Sequence, residues 1–302
     1  MPKKSSGKPI RSILFVPADS ERKIAKAFET KADALVFDLE DSVMPANKAA
    51  AREILRRLLA QRPEAYAGQM WVRINPLATG LAIADLCAVV TPHLDGIILP
   101  KCNGPQDVIT ATNYIDAIAG KAGLADEEIG ILAVVTETAS APFALGEYAK
   151  YDLPRLWGMT WGAEDLSSAV GAATNKTPDG VWAFTYRMVR SQCLLAAKAS
   201  GVQCIETLYV DFRDPEGLAA SCIEARREGF TGRFAIHPAQ VDGINESFMP
   251  SAKEVERASK IVAAFDAAAG SGTIALDGEM LDIPHLNQAH YVLSLHKAFA
   301  AH

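Results

Sequence analysis

Runs of four to six apolar or β-branched residues recur along this chain, each followed by a longer stretch with apolar residues at helical spacing. The runs at 12–16, 34–38, 70–74, 96–99, 130–135, 156–161, 203–206 and 233–236 predict eight strands. Their apolar character is continuous rather than alternating, which suits parallel strands covered on both faces. Helices are predicted between them, among others over 20–30, 47–59, 106–119 and 178–200. Eight strand–helix pairs in order, with little Pro, Gly or Ser linker between them, predict an α/β fold closed as a TIM (β/α)8 barrel. The alternative, an open doubly wound sheet, lacks the GxGxxG that would follow its first strand.

Beyond Pro250 the pattern changes. A long helix is predicted over 251–269, then a Gly270-Ser271-Gly272 break and a short strand over 273–276. Asp277-Gly278-Glu279-Met280 reads as a hairpin turn, and a final helix spans 284–301. The pattern thus predicts a polar, disordered leader over 1–10, a TIM barrel over 11–250, and a C-terminal helical and hairpin lid over 251–302.

Bulk properties narrow the function. With 302 residues, 49% of them hydrophobic, the chain has ample material for one large core. A net charge of −6 argues against nucleic-acid binding through phosphates, although a local basic cluster can still hold an anionic ligand. The five cysteines are scattered without a CxxC pair, which predicts free thiols in a reducing cytoplasm rather than a disulfide frame or zinc site. No apolar run approaches the roughly 20 residues of a membrane span, and the basic start lacks the apolar stretch of a signal peptide.

The candidate chemistry sits at strand ends. Glu137 ends the apolar run of the fifth strand and Asp165 follows the sixth, so two hard oxygen donors converge from neighbouring strand tips. Two carboxylates plus waters and substrate oxygens describe a Mg²⁺ site. The plainer alternative makes them helix caps. Arg73 ends the third strand, where it can grip a substrate carboxylate or stabilise an enolate oxygen, or simply form a structural ion pair. The run Asp38-Leu39-Glu40-Asp41 closes the second strand and offers three carboxylates to hold it. We place Arg73 and Asp41 as candidate catalytic residues and Arg73 and Glu137 as candidate substrate contacts. Lys101 closes the fourth strand. It is read either as a charged partner of Glu137 or as a Schiff-base nucleophile. His237, at the last strand end, reads as near the site or as a loop fixture.

In order along the chain, several segments resemble the citrate lyase β-subunit-like family of the HpcH/HpaI aldolase and citrate lyase superfamily. They are Arg11-Ser12-Ile13-Leu14-Phe15-Val16-Pro17, Phe37-Asp38-Leu39-Glu40-Asp41-Ser42-Val43, Val72-Arg73-Ile74-Asn75, Leu99-Pro100-Lys101, Glu137-Thr138-Ala139, Gly162-Ala163-Glu164-Asp165-Leu166, Ile236-His237-Pro238 and the tail segment from Asp277 to His285. The resemblance implies a Mg²⁺-binding barrel that cleaves or forms a C–C bond beside a coenzyme A thioester such as malyl-, citramalyl- or citryl-CoA. It implies that Glu137 and Asp165 hold the metal and Arg73 contacts substrate. It also implies that Asp282 is the catalytic acid–base residue, delivered to a neighbouring subunit of a homotrimer or hexamer. The alternatives are a metal-dependent aldolase on free 2-oxo acids and a non-catalytic subunit of a citrate lyase-type complex. Arg11, Lys23 and Lys26 are candidate phosphate contacts for the coenzyme.

Overall fold

The eight apolar runs become eight parallel strands: β1 (Ser12–Pro17), β2 (Ala34–Asp38), β3 (Gln69–Arg73), β4 (Gly96–Leu99), β5 (Gly130–Val134), β6 (Leu156–Thr160), β7 (Gln203–Glu206) and β8 (Gly232–Ala235). Each pairs with the next in sequence, and β8 returns to β1, so the sheet closes into a barrel. The structure, a computed structural model, describes residues 9–63, 66–124, 128–268 and 270–300. Residues 1–8 of the expected leader, and Ala269 and Ala301 at two expected helix ends, lie outside the described residues.

Burial explains why the strands read as continuous apolar runs. Every residue of β2 and β4 is buried, because one face fills the barrel and the other lies under helices. The interior is packed by side chains including Ile13, Val36, Trp71, Ile98, Leu132, Ile205 and Phe234. Trp71 and Trp157 meet at 5.0 Å between ring centroids. The Trp71 ring reaches the first residue of β4, where a Cβ on Gly96 would come within 2.3 Å of it. These rings fill the floor of the barrel, at the N-terminal ends of the strands.

The surrounding helices are α1 (Glu21–Ala27), α2 (Lys48–Leu58), α3 (Ala82–Val89), α4 (Pro105–Ala122), α5 (Ala163–Ala169), α6 (Phe184–Ala199), α7 (Pro215–Glu228) and α8 (Val241–Ser247), with a 3-10 segment, Ala141–Lys150, after β5. Two differences from the sequence pattern matter. The helix expected over 178–200 begins only at Phe184, because Lys176 and Trp182 form a β-bridge around a turn in which the Thr177 and Val181 backbones bond. The short α5, which carries Asp165, spans only seven residues, too few for its periodicity to stand out.

The chain divides into two compact units, 1–244 and 245–302. The second contains α9 (Ala252–Ala267), a hairpin of β9 (Thr273–Leu276) and β10 (Glu279–Asp282), and α10 (Ile283–Ala300). Ser251 and Glu254 form a capping box at the start of α9. The hairpin turns through Asp277 and Gly278, both at positive φ (51° and 81°), as a two-residue turn of primed type requires. Ile261, Phe265, Leu281 and Ala289 form this unit's own core. Among the described residues no helix is long and apolar enough to cross a membrane. The five cysteines are free, four of them buried.

Candidate active site at the C-terminal rim of the barrel

Asp38 and Arg73 are the last residues of β2 and β3 and stand in register across the sheet. The Asp38 carboxylate accepts hydrogen bonds from Arg73 Nε and Nη2, both at 2.7 Å, and from the backbone N–H groups of Glu40 and Ser42. Burial alone would raise the Asp38 pKa, but the Arg73 hydrogen bonds and charge outweigh it and hold the carboxyl below its ordinary value. By taking those two N–H groups, Asp38 folds the chain into a tight turn that directs Glu40 inward. Glu40 is 3% exposed, with Oε2 3.0 Å from Arg73 Nη1 and Oε1 2.5 Å from Lys101 Nζ. Asp41 instead is largely solvated, its side chain 59% exposed, at 3.6 Å from Lys101 Nζ and 4.0 Å from Arg73 Nη1. Asp38 takes two of the five Arg73 N–H donors in hydrogen bonds, and Glu40 Oε2 lies 3.0 Å from Nη1 as an ion pair without hydrogen-bond geometry. The guanidinium also lies over the Phe15 ring, 4.9 Å from its centroid.

Lys101 follows β4 with φ at 54°, a left-handed backbone that non-glycine residues seldom adopt. This twist aims the backbone N–H and the side chain at different carboxylates. The N–H donates to Glu137 Oε2 at 2.7 Å. The ammonium meets Glu40, and Asp165 Oδ1 at 3.3 Å. The expected pairing of the Lys101 charge with Glu137 is thus corrected: Glu40 takes the charge and Glu137 takes the peptide. Burial would lower the Lys101 pKa, but Glu40, with Asp165 and Glu137 behind it, raises it above the ordinary lysine range. A Schiff-base nucleophile needs the neutral amine, so this environment opposes that chemistry. Asn103 Oδ1 ties the loop down by accepting from Thr138 Oγ1 and Ser140 Oγ, joining the ends of β4 and β5.

Glu137 is 6% exposed. Burial foremost, then the charges of Asp165 and Glu40, push its carboxyl up to about 8. Its Oε1 accepts no hydrogen bond from the described residues. The neighbouring strand makes room for it: Gly162 follows β6, and its N–H donates to Thr136 Oγ1. Trp161, one residue earlier, is fully buried and donates Nε1–H to Glu206 Oε1 at 2.6 Å, while Arg190 holds the other oxygen of Glu206. Trp182 packs edge-on against Trp161 at 5.2 Å. The segment leading to Asp165 is therefore anchored at Trp161 and Gly162.

The remaining expected residues lie elsewhere. His237 caps a 3-10 turn through Nδ1 and stacks on Phe212, which is the loop-fixture role. Arg11 precedes β1 at the opposite end of the barrel, where it binds Asp33 through Nε and Nη2. Lys23 and Lys26 are exposed on α1. Asp282 lies in the second unit, with Oδ1 2.5 Å from His285 Nδ1 and half of its side chain in solvent. Glu40 was the residue hardest to single out from sequence, since nothing in Asp38-Leu39-Glu40-Asp41 distinguishes the inward carboxylate from the outward one.

The donor set suits a divalent cation. Five carboxylates (Asp38, Glu40, Asp41, Glu137 and Asp165) face the two cations Arg73 and Lys101, a surplus of negative charge. Among the described residues no group of three or more His, Cys, Asp or Glu is arranged as a metal cage. Two carboxylates with open positions are the arrangement that Mg²⁺ accepts, because it keeps several of its waters.

Comparisons with known proteins place the chain in a family. The profile of the HpcH/HpaI aldolase/citrate lyase family matches residues 11–238. A (3S)-malyl-CoA thioesterase of Cereibacter sphaeroides is 34% identical over 97% of this chain and 96% of its own. The mitochondrial citramalyl-CoA lyase of Rattus norvegicus is 31% identical over 95% of this chain and 86% of its own. In three dimensions the chain is similar to CitE of Mycobacterium tuberculosis in complex with magnesium, acetoacetate and coenzyme A. That structure superposes with a TM-score of 0.76 at 30% identity, covering 97% of this chain and 99% of the other. By profile and near-full-length similarity, this chain belongs to the HpcH/HpaI aldolase/citrate lyase family.

Proposed function

We propose that this protein is a Mg²⁺-dependent carbon–carbon lyase acting on a carboxylated 3-hydroxyacyl-CoA thioester of the malyl, citramalyl or citryl type. The observation that carries this reading is the convergence of Glu137 and Asp165 on Lys101, within an acidic rim that also holds the Arg73 guanidinium. Relatives whose names include CoA thioesters, and a neighbour holding magnesium with coenzyme A, support it.

Glu137 and Asp165 are the residues that would hold the ion. When bound, Mg²⁺ supplies Lewis-acid stabilisation to the substrate's hydroxyl and carboxylate oxygens. Arg73, its plane fixed by Asp38 and Glu40, donates to the oxygen on which enolate charge develops. The hydroxyl proton passes to water as the C–C bond breaks, the bond's electron pair stays with the acetyl fragment, and the hydroxyl carbon becomes the carbonyl of a 2-oxo acid. Asp282 then gives a proton to the enolate carbon, or removes one in the condensation direction.

The relative named as a thioesterase favours a second reading, in which water cleaves the thioester and releases free CoA. One assay separates the two: acetyl-CoA, free CoA and 2-oxo acid are measured after incubation with malyl-, citramalyl- and citryl-CoA, with and without EDTA. EDTA-sensitive release of equal acetyl-CoA and 2-oxo acid is expected. Free CoA without 2-oxo acid would replace the lyase reading with hydrolysis. No turnover of any thioester would move the protein to free oxo acids or to a subunit that works only with partners.

A further inference from the structure

Behind the acidic turn lies a chain of charged and polar side chains that the reaction itself does not use. Asp85, in α3, is fully buried. One of its oxygens accepts Arg52 Nε at 2.6 Å, and the other accepts both the backbone N–H and the Nδ2 of Asn75 at 2.7 Å. Asn75, 2% exposed, in turn accepts Lys48 Nζ on Oδ1 at 2.7 Å. Lys48 spends its other two protons on the carbonyl oxygens of Leu39 and Glu40, at 2.8 and 2.9 Å. The chain therefore runs from two outer helices through the end of β3 and terminates on the backbone of the residue that joins Arg73 to Lys101.

A buried ion pair is a poor way to gain stability, because well-packed apolar residues of the same volume usually do as well. Its value lies in fixing positions. Here every ammonium proton of Lys48 is matched to one acceptor, and two of the three acceptors are consecutive carbonyls of the acidic turn. We infer that Lys48, braced by Asn75, Asp85 and Arg52, is a positioning residue: it sets the backbone of Leu39 and Glu40 and so aims Glu40 between Arg73 and Lys101. The kinetic part of this inference rests on the lyase reading above, and the structural part does not.

The test compares wild type, Lys48→Met, Glu40→Gln and the double variant. Amide hydrogen exchange is followed in peptides covering 39–43, and kcat and KM are measured with whichever thioester is cleaved. Lys48→Met is expected to speed exchange at 39–43 by about tenfold or more while peptides from β5 and β6 keep their protection. It should lower kcat roughly 10- to 100-fold with KM within about threefold. The double variant should be no slower than Glu40→Gln alone, because Lys48 acts through Glu40. A residue serving only stability would lower the melting temperature and leave kcat per folded site unchanged. Unaltered exchange at 39–43, or kcat losses that multiply in the double variant, would overturn the inference. If Lys48→Met fails to fold, Lys48→Gln carries the same expectations. Absence of turnover in wild type would overturn the proposed function instead, and the exchange measurement would still decide this point.

Discussion

A methyl group at Gly162 would sit 2.6 Å from Cγ of Glu137 and 3.0 Å from its Oε1. Side chain and backbone here compete for one space, and glycine resolves it in favour of the carboxylate. Gly162→Ala should therefore weaken divalent-cation binding by roughly 10- to 100-fold, measured with Mn²⁺ by electron paramagnetic resonance. Glu137→Gln and Asp165→Asn should abolish that binding while circular dichroism stays unchanged; retained binding in both would remove them as ligands. At this scale the sequence was informative where a charge closes an apolar run, as at Glu137 and Arg73, because a strand end at a barrel rim has one place to point. It was silent on Glu40 against Asp41. That choice is made by Asp38 taking the N–H groups of Glu40 and Ser42, an arrangement of the folded turn and not of residue types. Likewise, the partner of Lys101 depends on its left-handed φ, which nothing in Leu99-Pro100-Lys101 announces.

Among the elements, the loop from β6 into α5 depends most on polar contacts made behind it. Trp161 gives its single donor to Glu206, a carboxylate buried at 1% exposure. Trp161→Phe keeps the packing but removes one of that carboxylate's partners, so urea denaturation should show a loss of about 1–3 kcal/mol. An unchanged midpoint would mean that Arg190 and the Thr207 N–H satisfy Glu206 without it. The strands were legible because burial on both faces leaves a continuous apolar run, and the Asp277-Gly278 turn because its geometry demands those residues. Residues 178–183 were not: their helical look comes from composition, and a bridge between Lys176 and Trp182 overrides it.

The molecule as a whole comprises a barrel and a second unit with its own core. That division was visible in the sequence where strand–helix alternation stops. The proposal, implied by the sequence resemblance, that Asp282 acts in a neighbouring subunit makes a prediction that a single chain cannot satisfy. Glu137→Gln and Asp282→Asn should each be inactive alone, the second by roughly two to four orders of magnitude. Mixed as dissociated and reassembled oligomers of three or six chains, they should recover about a quarter of wild-type activity, since random assembly pairs an intact barrel with an intact tail at that frequency. No recovery, with assembly verified by light scattering, would place Asp282 in its own chain's site or remove it from catalysis.

The four tryptophans fall into two ring pairs with separate duties. Trp71 and Trp157 fill the barrel floor, whereas Trp161 and Trp182 stand against the arm that carries Asp165. Emission from the second pair is expected to change when a cation binds beside Asp165 and emission from the first to stay constant, which Trp→Phe variants titrated with Mg²⁺ would check. On that expectation the chain carries its own optical reporter for events at the acidic mouth, with an internal reference in the barrel floor.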